Sequence, residues 1–149
     1  MGLARVTRLL LILGLFTLAW GGRPEREKAI AMVRDAAVFL EQEGLVKGLA
    51  ELNRRDGRFV DGEYYVFAYD RRCVMAAHPM NPKLVGKSML GVPDVEGKLF
   101  RQEMMRLAEE RGWGWVTYKY RNPVTGKIES KITWIRKVGE LSLCCGVYE

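Results

Sequence analysis

Few side chains in this 149-residue sequence have the reach for covalent chemistry. His78 is the single histidine, so a His-based catalytic triad would have to use it, and no GxSxG or HExxH motif accompanies it. There is no Walker loop and no dinucleotide fingerprint. Gly86 and Gly91 lie in a stretch that lacks the strand–helix phosphate cradle. Paired carboxylates such as Glu109-Glu110 read as charges on a helix surface. Cys73, Cys144 and Cys145 cannot all pair with one another, and neighbours on a strand face opposite ways, so at most one of the last two can meet Cys73. A metal site from Cys73, Cys144 and His78 lacks any ligand spacing. Small buried hydrophobes are the expected role of the thiols, with one disulfide as the alternative. These residues point away from an enzyme and imply no cofactor and no metal.

The elements that must position the polar residues can be read from periodicity. Pro24 opens a helix with Glu25 and Glu27 in its first turn, where the helix dipole favours acids. Ile30, Val33, Ala37 and Leu40 give that helix one apolar face up to Gly44. Leu45 to Asn53 continues as a short helix or turn. Tyr64 to Tyr69 reads as a strand, Asp70-Arg71-Arg72 as a tight turn, and Cys73 to Ala77 as a second strand ending at His78-Pro79. A loop from Met80 to Pro93 leads to a helix predicted from about Val95 to Glu110, with Leu99, Met104 or Met105, and Leu107 on its inner side. Three β-rich runs follow, WGWVTYKYR, KIESKITWIRKV and LSLCCGVY, joined by Asn122-Pro123 with Thr125-Gly126 and by Gly139-Glu140. Sequential strands usually neighbour one another, so the two blocks are expected to merge into a five-stranded antiparallel sheet with the last strand beside the first. That is an α+β fold with a pocket under the inserted loop and helix.

The ends and the charge set the context. Arg5 and Arg8, the apolar run Leu9 to Leu18 and the small residues Ala19 and Gly21 have the layout of a secretory signal over residues 1–21, leaving residues 22–149 as one domain. The rival reading is an uncleaved anchor, but Leu9 to Trp20 is twelve residues, short of the roughly 20 that span a bilayer. Export places the protein in the periplasm or outside the cell. The net charge of +6 falls to +4 when Arg5 and Arg8 leave with the signal. For an exported chain this is an ordinary solvated surface, which argues against nucleic acid and offers a modest field for small anions. A hydrophobic content of 48% and five prolines suit one globular domain.

The order of short signatures resembles the single Cache domain, a PAS-like extracytoplasmic sensor module. Leu49-Ala50-Glu51-Leu52-Asn53, Phe59-Val60-Asp61-Gly62 and Tyr65-Val66-Phe67-Ala68-Tyr69-Asp70 look like the approach and first strand. Ala77-His78-Pro79 with Leu84-Val85-Gly86-Lys87 matches the second strand and loop entry, and Gly97-Lys98 to Phe100 opens the inserted helix. Gly114-Trp115-Val116-Thr117-Tyr118, Asn122-Pro123, Thr125-Gly126-Lys127, Lys131 and Gly146-Val147-Tyr148 match the closing strands. Two departures are Trp134, where the family more often has tyrosine, and Arg71-Arg72, where an Asp-Gly type turn is commoner.

The resemblance implies a PAS-like sheet that binds a small organic anion or amino acid, often a short carboxylate, without chemistry. The chain stops at the last strand, so any signal is expected to run through association with a membrane receptor or kinase partner, or else the domain merely buffers its ligand; a homodimer is a further candidate assembly. The alternative is an extracytoplasmic interaction or structural module whose pocket is filled by its own side chains, closed by the loop over Met75, Met89 and Met104.

A carboxylate in a low-dielectric pocket needs a cation or several donors. Lys131, in mid-strand among Ile128, Ile132 and Ile135, is the best cation by position. Tyr118 can donate its hydroxyl, Trp115 can wall the pocket, and His78 stands where the loop begins. A histidine pKa near its ordinary 6.5 would make binding pH-sensitive. Strand parity leaves two registers open. If Tyr120 pairs with Ile128, Lys131 lies opposite Thr117 on the face of Trp115; a slip of one residue puts it beside Tyr118. Thr117 and Tyr118 are therefore both candidates.

Overall fold

The computed structural model describes residues 23–149, so the expected export signal lies outside them. Two helices come first, α1 Pro24–Glu43 and α2 Leu45–Leu52. The strands β1 Val60–Asp61, β2 Tyr64–Asp70 and β3 Met75–Ala77 follow, then one 3₁₀ turn at Pro82–Leu84. Helix α3 Phe100–Arg111 leads into β4 Trp113–Arg121, β5 Ile128–Val138 and β6 Leu141–Tyr148. Among the described residues no helix is long and apolar enough to cross a membrane.

All pairings are antiparallel, in the order β1-β2-β6-β5-β4, with β3 beside β2. The last strand therefore lies beside the first long one, as the sequence predicts. The two-residue β1 adds a sixth, very short strand; it shares the outer edge of β2 with β3. Central β2 and β6 are buried on both faces, which is why they read as nearly continuous apolar runs. One face carries Val66, Ala68, Ile132, Leu143 and Val147 and packs under Ala29, Val33, Ala36 and Leu40 of α1. The other carries Tyr65, Phe67, Tyr69, Val116, Tyr118, Ile135 and Cys144 and packs under Phe100, Met104 and Ala108 of α3. The sheet is thus covered on both sides.

Two boundaries differ from the sequence reading. Helix α3 starts at Phe100 because the preceding backbone is held in a different turn. The Asp94 carboxylate accepts the N–H groups of Glu96, Lys98 and Lys119, and Gly97 turns back at φ 84°, a conformation that costs glycine little. Leu99 is consequently 41% exposed at the helix start instead of facing inward. The second strand begins at Met75, since the Asp70 carboxylate accepts from Arg72 and Val74 and prolongs the turn through Cys73.

The β4–β5 register, which the sequence leaves open between two choices, settles which neighbour Lys131 has. Asn122 is buried; its side-chain oxygen accepts from Val124, and its backbone N–H donates to Lys127. That closed turn pairs Arg121 with Ile128, so Lys131 lies opposite Tyr118 and Thr117 opposite Ile132.

Candidate functional site

Lys131 is the centre of the α3 face. It is fully buried, flanked in the sheet by Tyr118 of β4 and Tyr148 of β6. Its ammonium donates to the hydroxyl oxygens of Tyr65 at 2.8 Å and Tyr148 at 3.2 Å. The rings of Tyr65, Tyr148, Tyr120 and Phe67 surround it at 4.2, 4.5, 5.4 and 5.5 Å from their centroids, an aromatic cage whose faces favour a cation. Burial nevertheless pulls the amine down to about 7 from its ordinary 10.5.

Gly146 makes room for the lysine stem. A Cβ on Gly146 would collide with Lys131 Cε and come within 2.6 Å of Thr133 Oγ1. Gly146→Ala is expected to destabilise the fold by about 1–3 kcal/mol through overpacking and to displace the amine. Urea denaturation checks the first effect.

A second buried cation stands nearby. Arg101 of α3 donates from Nε to the Tyr69 hydroxyl at 3.0 Å and from Nη1 to the Val92 carbonyl at 3.0 Å, and its guanidinium lies 4.1 Å from the centroid of Phe100. Among the described residues neither Lys131 nor Arg101 forms a salt bridge; their partners are phenols and a carbonyl. Two buried positive groups without carboxylate partners are costly to a fold.

His78 completes the group. Its ring stacks obliquely on Tyr65 and Phe67 at 5.2 and 5.6 Å. Its Nδ1 accepts from the Asn81 N–H at 2.9 Å, which leaves the proton of the neutral ring on Nε2. Burial, with the charge of Lys131 adding to it, pulls its pKa down to about 3. His78 is therefore a neutral donor across the physiological range, and the pH-sensitivity expected from a free histidine is corrected by its surroundings.

Two chambers open under the segment that follows β3. The smaller, about 250 Å³, is lined by Tyr65, His78 and Tyr120 among others; the larger, about 360 Å³, includes Arg101 and Tyr120. Both share Asn81, Tyr120 and Arg121. Lys131 lines neither and stands behind Tyr65 and Tyr120. Met75, Met89 and Met104 are buried together with Cys73 and Cys144, so the loop closes over a filled core beside the chambers rather than in place of them.

Of the residues predicted from sequence, His78, Tyr118 and Lys131 share this face. Trp115 and Thr117 do not, because the register turns them toward the α1 side. Trp115 packs there against Trp134 and Arg26, and Thr117 is exposed. Tyr118 lies beside Lys131 in the ladder but is engaged elsewhere: its ring stacks on Phe100 at 3.8 Å and its hydroxyl shares a hydrogen bond with Thr133. Sequence reasoning missed Tyr65, Tyr120, Tyr148 and Arg101. The tyrosines follow from alternation once the register is known; Arg101 looks like any charge on a helix.

Cys73, Cys144 and Cys145 are buried and unpaired. Burial raises the Cys73 thiol to about 11 and Cys145 to about 12, so both stay protonated and unreactive.

Comparison with known proteins agrees with this geometry. Residues 47–147, two thirds of the chain, match the Single Cache domain 2 family. The chain is similar to the periplasmic sensor domain of a chemotaxis protein at 28% identity, covering 82% of this chain and 88% of that one with a TM-score of 0.66. It is similar at 25% identity and TM-score 0.71 to a Cache chemosensory domain solved for its carboxylic acid recognition, over 85% and 94% of the two chains. A methyl-accepting chemotaxis protein from Vibrio parahaemolyticus RIMD 2210633, 17% identical over 83% and 87%, has the same fold at TM-score 0.69. A helix-covered antiparallel sheet is the fold these domains share with it. The chain belongs to the Single Cache domain 2 family of extracytoplasmic ligand-binding sensor domains.

Proposed function

We propose that this domain is an exported sensor for a small carboxylate, which it binds without catalysis and reports to a partner protein. The observation that carries the reading is Lys131, a fully buried amine with no carboxylate partner among the described residues. In the smaller chamber the carboxylate takes hydrogen bonds from the Tyr65 hydroxyl and His78 Nε2–H. Lys131 donates to the Tyr65 oxygen, and the Tyr65 hydroxyl, which also neighbours that of Tyr148, turns its hydrogen to the anion when the chamber fills. Tyr148 spends its own hydrogen on the Arg121 carbonyl at 3.0 Å. The lysine thus offsets the anion's charge from behind a wall of two phenols, in a site where low dielectric strengthens the attraction.

The kinship with a carboxylic-acid-recognising Cache domain supports the same ligand class. Occupancy would be passed on through association with a membrane receptor, a kinase or a second copy. The rival module, with its pocket filled by its own side chains, draws on the Met75–Met89–Met104 cluster. A thermal-shift screen of the purified protein against short carboxylates, amino acids and amines separates the two. Ligand at a hundred times Kd adds about 2.7 kcal/mol of stability, so carboxylates are expected to raise the melting temperature and amines to leave it unchanged. A flat screen would decide for the filled module.

A further inference from the structure

The larger chamber has walls that the carboxylate head does not need. Leu84, Met89, Val92, Val95, Phe100 and Ile128 all face it. Three of them are apolar side chains left substantially open to solvent: Val95 is 67% exposed, Ile128 44% and Val92 43%. They come from separate stretches of chain, the loop after β3 for the valines and the start of β5 for Ile128, yet converge on one cavity. Exposed apolar surface gathered in a concave site marks a place where something apolar is bound.

The occupant follows from continuity. This chamber adjoins the smaller one across Tyr120, with Asn81 and Arg121 common to both. We infer that the ligand is an aliphatic carboxylic acid longer than propionate, its carboxylate in the smaller chamber and its alkyl chain passing Tyr120 into the larger one. This rests on the carboxylate reading above. Arg101 does not oppose an alkyl chain here. Its Nε hydrogen and one Nη1 hydrogen are spent on Tyr69 and Val92, and its plane is held against Phe100, the weakly hydrated way of burying a guanidinium. Of the other polar groups of this chamber, the Asp94 carboxylate accepts the backbone N–H of Lys119, and Arg121 donates from Nη1 to the Gly126 carbonyl.

The test is calorimetric titration of the purified protein with acetate, propionate, butyrate, pentanoate, hexanoate and octanoate. Each methylene that enters an apolar chamber strengthens binding by about fourfold, so hexanoate is expected to bind some tens of times more tightly than propionate. Ile128→Trp fills the chamber from an exposed position and is expected to return hexanoate to the affinity of propionate, with the melting temperature of the unliganded variant showing that it folds. Affinity that is flat or falls on lengthening, with acetate and propionate still binding, overturns the tail assignment alone. Glutarate binding tenfold more tightly than pentanoate also overturns it, since a second carboxylate would then be meeting Arg101. Failure of every acid to bind removes the head assignment and this one with it.

Discussion

Replacement of Lys131 by methionine is expected to stabilise the protein and to abolish its response to carboxylates. The sign comes from linkage. Lys131 has a folded-state pKa of about 7, below the 10.5 of an unfolded lysine, so between those values the unfolded chain holds more protons than the folded one. Burial of the amine therefore costs its full amount below pH 7, and the cost fades as pH rises from 7 to 10.5. A shift of this size is worth on the order of 5 kcal/mol as a ceiling; with the lost hydrogen bonds to Tyr65 and Tyr148 set against it, a gain of about 2–4 kcal/mol at pH 6 is expected. In a domain of this length that is roughly 10 °C in melting temperature, shrinking toward zero near pH 10. Thermal melts of the two proteins across pH check it. A variant that is destabilised, and equally so at pH 6 and pH 10, would make the lysine a structural group rather than one kept for a ligand.

The second large effect is the pH dependence of binding. A carboxylate prefers the ammonium form of Lys131, so affinity is expected to hold level from pH 5.5 to 7 and to weaken toward tenfold per unit above about 7. The groups around the amine do not supply a competing anion at neutral pH. Tyr65, Tyr120 and Tyr148 are pushed up by burial, as are the thiols of Cys144 and Cys145. Glu63 is the carboxylate whose charge acts on Lys131, and it does so from outside hydrogen-bonding range. His78, neutral down to about pH 3, contributes no inflection near 6.5. Titration of one carboxylate at several pH values measures this. An inflection near 6.5 that disappears in His78→Gln would return the histidine to the role its sequence position first suggested.

These expectations show what was legible in the sequence. Lys131 stood out because a lysine among isoleucines on a strand must either reach solvent or be held for a purpose, and its full burial excludes the first. The element order and the closing meander were equally legible, since alternation and turn residues carry them. The partners of Lys131 were not. Which tyrosines surround it depends on a one-residue choice of register, and that choice is made by Asn122 closing on Lys127, a side-chain and backbone arrangement that no periodicity encodes. Thr117 was nominated on the register that this turn excludes, and Trp115, nominated as a pocket wall, lies on the same face as Thr117. Arg101 was illegible for a different reason. Charged residues on a helix are solvated by default, and only the docking of α3 beside Tyr69 and Val92 buries this one.

The same view explains why the cage is built of phenols. A buried amine beside carboxylates would be neutralised internally, leaving nothing for an external anion. Tyr65 and Tyr148 satisfy its hydrogen bonds without cancelling its charge. The fold tolerates the cost because both faces of β2 and β6 are otherwise apolar and closely covered.

The most direct measurement is proton uptake on carboxylate binding, obtained by titration calorimetry at pH 8 in two buffers of different ionisation enthalpy. At that pH the amine is mostly neutral before binding and is expected to be charged after it. Close to one proton taken up per carboxylate bound, and none in Lys131→Arg, is the predicted result. Identical heats in both buffers, with the carboxylate still bound, would contradict the account by showing that the anion does not draw on Lys131.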